Sequence, residues 1–270
     1  MSSITKILKN ETLSSVLNTE KSSNGEVKRL HHIPRPAITE AERQWKLGQM
    51  TVAFRVFAKL GFADGSSGHI SLRDPIEPQN FWVNPYGVSD MVRIDENSIR
   101  VDGADKSVNT AGFMIHSAIH QRRPDIHAAC HMHSPYGRAW STFGKPINII
   151  NQDSCMFFDD ISVYPAFGGV VFTQEEGQQI ASYLSPKNKN LIMQNHGLLT
   201  AGGTVAEAAA FLIAIEHACQ AQLSVEASTA PGSLGAVSSE LKKSFVDYET
   251  AVYTKKGTGS PEAMYMQVEP

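Results

Sequence analysis

Apolar residues recur at helical spacing from Thr39 to Leu60. Trp45, Met50, Phe54, Phe57 and Leu60 form one stripe, Thr39-x-x-Glu42 has the form of a capping box, and Gly61 closes the segment. A second helix is predicted from Thr110, carrying Phe113, Met114 and Ile119 up to the stop at Pro124. The boxes Thr173-x-x-Glu176 and Thr204-x-x-Glu207 open two more, the last rich in alanine and running to about Ala227. Between them lie short β-rich runs at His69–Leu72, Phe81–Asn84, Ile126–His133, Ile147–Ile150, Ser162–Tyr164 and Leu191–Gln194. Helices and strands alternate, but the connections are too irregular for a doubly wound sheet. The pattern therefore predicts an α/β protein, a three-layer α/β/α domain with a mixed or antiparallel central sheet. Residues 1–37 read as a flexible polar arm, 38–227 as one domain, and 228–270 as a partly ordered extension where Gly, Ser and Pro return.

Composition narrows the partners more than the fold. A formal net charge of −3 and no basic cluster argue against nucleic acid. No run of 18 apolar residues is present to cross a membrane, and the three cysteines are odd in number and widely spaced. A reducing, cytoplasmic setting is the expectation.

Chemistry enters with the histidines. In His131-Met132-His133 the two imidazoles are two residues apart, so on a strand they share one face. Leu191 to Gln194 reads as a buried strand running into Asn195-His196-Gly197, where a turn would present the third imidazole. His196 reads equally as a ligand or as a hydrogen-bonding cap at a strand end. Three imidazoles with open positions suit a catalytic metal rather than a closed structural one.

Gly68-His69-Ile70-Ser71, Trp82 to Gly87, Ala111 to His120, His131-Met132-His133-Ser134 and Asn195-His196-Gly197-Leu198 follow one another as in class II aldolase/adducin proteins. The chain resembles that superfamily over roughly residues 38–227. The resemblance implies an α/β/α fold and a divalent metal on His131, His133 and His196, zinc first, with Fe2+ or Mn2+ as alternatives. It further implies a lyase acting on a small-molecule, hydroxy-carbonyl substrate through an enolate-like intermediate, and a homo-oligomer, commonly a tetramer. Family enzymes carry a metal-touching glutamate four residues before the position of His116; here that position is Gly112, which cannot transfer a proton. Tyr86-Gly87 replaces the usual Thr-Gly of a phosphate loop. The pattern around Gly112 is similar to the adducin head, so a non-catalytic assembly module is one alternative and an iron-dependent oxygenase on the same fold another.

The missing carboxylate leaves two candidates for proton transfer. His116 lies one turn after Gly112 on the same helix face, as acid/base or as a satisfied core histidine, and Asp153 follows a strand, as acid/base or as a turn cap. For the substrate, Ser66-Ser67-Gly68 reads as an anion-binding nest or a plain glycine turn, and His69 as an anion contact or as closing a hydrogen bond near the site. Asn84 and Gly87 are assigned to substrate through the resemblance.

Overall fold

The computed structural model describes residues 19–21, 27–29, 39–63, 67–85, 90–97, 99–171, 173–229 and 246–258. Eight strands form one sheet: β3 (His69–Arg73), β4 (Phe81–Val83), β5 (Val92–Ile94), β6 (Arg100–Gly103), β7 (Ala128–Met132), β8 (Ile161–Tyr164), β9 (Asn190–Met193) and β10 (Gly197–Gly202). Their order is β6-β5-β4-β3-β7-β10-β9-β8. Every pairing is antiparallel except β8 with β9, so the sheet is mixed, as expected.

Helices cover both faces. On one, Met50, Phe54 and Phe57 of α1 (Glu40–Lys59) and Phe211, Leu212 and Ile215 of α5 (Val205–Thr229) are buried with Ile70, Cys130, Met132 and Leu198. On the other, Ile115 and Ile119 of α2 (Thr110–Arg122) and Ile180 of α4 (Gln174–Tyr183) pack on Leu191, Met193 and Leu199. The period-two alternation along β9 and β10 thus feeds two separate cores. Helix α5 is long and apolar enough to cross a membrane by length and composition. Here it packs into the domain core with Ala208, Leu212 and Ile215 fully buried.

One strand expectation needs correction. Ile147–Ile150 forms no strand. Two of its amides are taken by side chains, Asn148 N–H by Gln222 Oε1 and Ile150 N–H by Ser154 Oγ, which interrupts any ladder. Within the arm, β1 (Thr19–Lys21) pairs antiparallel with β2 (Val27–Arg29). In the extension, α6 (Tyr248–Thr258) packs on the 3-10 turn Asp153–Phe157, with Ala251 buried and Tyr248 edge-on to Phe158.

Candidate metal centre

The centre of the sheet delivers the histidines. His131 is the last residue but one of β7, paired on one side with His69 of β3 and on the other with Leu199 of β10. His133 follows on the same face. His196 closes the three-residue turn between β9 and β10, where Asn195 adopts φ 57°. Gly197 allows the approach, because a Cβ there would stand 2.7 Å from the Met132 carbonyl oxygen. The outcome is a cluster in which one ring nitrogen each from His131, His133 and His196 lies within 4.8 Å of the others.

His131 is completely specified by its surroundings. Its Nδ1–H donates to the Leu198 carbonyl at 2.8 Å, which leaves Nε2 as a lone pair; that atom is buried and meets no hydrogen-bond partner. Burial, reinforced by the neighbouring His196 and His69, holds the ring neutral, far below the ordinary histidine pKa. His196 is lowered to about 4, by burial and then by His133. Neutral imidazoles with a stranded lone pair are the donor set of a transition-metal site, so these residues fit the ion that the resemblance implies.

A cavity of about 410 Å³ opens over the cluster. Ser67, His69, Asn109, Arg138 and Asn195 supply its polar wall, and Phe167, Val170 and Val171 its apolar one. Phe167 and Val170, about half exposed at 54% and 58%, stand at the rim. Sequence reasoning missed Arg138, Asn109 and Phe167. Arg138 had a signal, since Ser134-Pro135 starts a helix directly after His133 and Arg138 falls one turn inside it. Phe167 lies in an irregular loop after β8, without any period to read.

Helix α3 (Pro135–Ser141) is anchored from behind by Glu216 of α5. This buried carboxylate accepts from the N–H groups of Tyr136 at 2.7 Å and Gly137 at 2.6 Å, and from the Ser134 hydroxyl. It satisfies the first-turn donors of the helix that follows the His131-Met132-His133 segment.

The other predicted residues divide. Ser67 and His69 line the cavity; Ser66 and Gly87 lie outside the described residues. Asn84 is buried and stitches β3 to β4: its Oδ1 accepts from Ile70 N–H at 2.8 Å, and its Nδ2 donates to the Gly68 carbonyl at 3.4 Å. It borders a small void beside His116 rather than the main cavity. His116 is buried behind His69 and does not line the main cavity. Asp153 is exposed on the 3-10 turn beneath α6 and lines no part of the cavity. A polar residue after a predicted strand had suggested proximity; the strand does not exist, and the segment packs against α5 and α6 instead.

Comparison with known proteins adds a family and a fold. Residues 48–223 match the model for the Class II Aldolase and Adducin N-terminal domain. The chain is 39% identical over 198 residues to the Meiotically up-regulated gene 14 protein of Schizosaccharomyces pombe, covering 71% of this chain and 77% of that one. It is 37% identical over 193 residues to Decarboxylase NovR of Streptomyces niveus, covering 68% and 71%. Among solved structures, L-fuculose 1-phosphate aldolase from Glaciozyma antarctica superposes with a TM-score of 0.76 at 38% identity, covering 88% of this chain and 90% of that one.

Proposed function

The chain belongs to the Class II Aldolase and Adducin N-terminal domain family, and from that premise we propose that it is a metal-dependent enzyme cleaving a carbon–carbon bond beside a carbonyl in a small molecule. The observation that carries this reading is the Nε2 atom of His131, a buried lone pair without a partner, grouped with His133 and His196 on the floor of a cavity. A divalent ion held there, zinc first and iron or manganese otherwise, would supply Lewis-acid polarisation of a carbonyl oxygen.

The chain's own groups do the remaining work. Arg138 places a guanidinium on the cavity wall, suited to a carboxylate or phosphate. Phe167 and Val170 at the rim shed water and favour a substrate with an apolar portion. Two of the similar proteins, a decarboxylase and an aldolase, are named for carbon–carbon cleavage, which supports this reaction class.

The test is the metal content of protein purified without a histidine tag, beside the His131→Ala/His133→Ala variant, followed by a screen of hydroxy-carbonyl compounds and 2-oxo acids. About one ion per chain is expected in the wild type, and none in the variant. Wild-type protein that stays metal-free after reconstitution would sink the reading and turn it towards a non-catalytic, adducin-like module.

A further inference from the structure

Between α2 and the sheet runs a line of polar side chains that the reaction above does not use. His116 and His120 lie one helical turn apart on the sheet-facing side of α2, against His69 and Ser71, two apart on β3. Four contacts join them. His120 Nδ1 meets the Ile126 carbonyl at 3.1 Å, and His120 Nε2 meets Ser71 Oγ at 2.8 Å. Ser71 Oγ meets His116 Nδ1 at 2.6 Å, and His116 Nε2 meets His69 Nδ1 at 2.8 Å.

One end of this line fixes every proton in it. The Ile126 carbonyl can only accept, so His120 carries its hydrogen on Nδ1. Its Nε2 then accepts from the Ser71 hydroxyl, the Ser71 oxygen accepts from His116 Nδ1–H, and His116 Nε2 accepts from His69 Nδ1–H. His69 Nε2 is left without a hydrogen. The assignment requires neutral rings, and the surroundings favour them: all three imidazoles are buried, and the four contacts join them to one another, to a hydroxyl and to a carbonyl rather than to a carboxylate.

The ring so locked lines the cavity, with its centroid 4.8 Å from that of His131. It also fills a definite volume, because a Cβ on Gly112 would stand 2.5 Å from both Cδ2 and Nε2 of His69. Gly112 therefore makes room for this imidazole.

We propose that His69 is a specificity-determining residue whose bare Nε2 accepts a hydrogen bond from a substrate hydroxyl, so that the site selects hydroxy-carbonyl and hydroxy-acid compounds over their oxo analogues. Ser71, His116 and His120 are positioning residues that hold the acceptor orientation. This inference rests on the metal reading above for the placement of the substrate. It does not rest on that reading for the tautomer.

Two measurements separate the parts. Ring 15N spectra of the metal-free full chain should show hydrogen on His69 Nδ1 and a bare Nε2. In Ser71→Ala the same ring should become a mixture of tautomers. A wild-type ring protonated on Nε2 overturns the proposal whether or not metal binds. With zinc-loaded protein, calorimetric titration should show lactate binding more tightly than pyruvate. In His69→Phe the lactate affinity should fall about tenfold and the pyruvate affinity stay within about twofold, the worth of one hydrogen bond to a buried acceptor. Equal loss for both ligands, unchanged lactate binding, or a wild type without preference for lactate overturns it. So does loss of zinc from His69→Phe, which would make His69 a ligand. A wild type that takes up no zinc sinks the metal reading as well, and the spectra alone then judge the tautomer.

Discussion

Replacing Glu216 should loosen the helix behind the histidine cluster more than any surface mutation could. Glu216→Ala removes an acceptor shared by the buried N–H of Gly137, the N–H of Tyr136 and the Ser134 hydroxyl. The hydroxyl can rotate to another partner, but the amides cannot. One fully buried orphan donor costs about 1–3 kcal/mol, and the second, partly buried one adds about 1 kcal/mol. The lost side chain leaves a void at a buried position, which adds to the cost. The expected loss is about 4 kcal/mol, or about 8–16 °C in Tm at this chain length. Glu216→Gln keeps one acceptor and turns an NH2 towards the other donor, so about half of that loss is expected. Urea unfolding at fixed protein concentration measures both. An alanine variant within about 1 kcal/mol of wild type, with an unchanged m-value, would refute the claim that this carboxylate anchors α3.

Acid should destabilise the metal-free protein from pH 6.5 downwards. His116 and His120 titrate near 3 when folded and near their ordinary value when unfolded, so below pH 6.5 the unfolded chain binds protons that the native one refuses. Stability then falls with falling pH, at up to about 3 kcal/mol per pH unit for the two rings together; a urea midpoint that is flat between pH 6.5 and 5 contradicts this. Gly197→Ala drives a methyl to 2.7 Å from the Met132 carbonyl oxygen, and should cost about 1–3 kcal/mol along with most of the metal affinity, read by chelator competition. Asp153→Asn should leave metal content and steady-state kinetics at the wild-type level, since its side chain is exposed away from the cavity; a large drop in kcat would restore it as a candidate.

The parts legible in the sequence were those with a strong period or a strong local rule. Helices α1, α2, α4 and α5 begin at Thr39, Asn109, Thr173 and Thr204 or one residue after, because start signals and apolar stripes are local, although the Thr39 side chain makes no capping bond while those of Asn109, Thr173 and Thr204 do. The convergence of His131 and His133 follows from strand pleating alone. Strand β10 was hidden, since Leu198 to Gly202 mixes small residues and glycine, and only pairing with both β7 and β9 makes it a strand. Strand β6 is fully exposed and carries no alternation to detect. The order of the histidine line was out of reach for another reason: it depends on the register His69 opposite His131, a long-range fact no window of sequence contains.

Positions 69 and 112 behave as a single unit of substitution. A side chain larger than hydrogen at 112 meets the imidazole, and a side chain smaller than imidazole at 69 leaves a hole beside the glycine. Gly112→Glu alone should therefore be more damaging than the sum of its helix propensity and charge suggests, while Gly112→Glu combined with His69→Ala should recover part of the loss. The chain cannot move between a carboxylate and an imidazole at this point one neutral step at a time. A single substitution at either position therefore perturbs packing and chemistry together, and only the paired change reads the chemistry by itself.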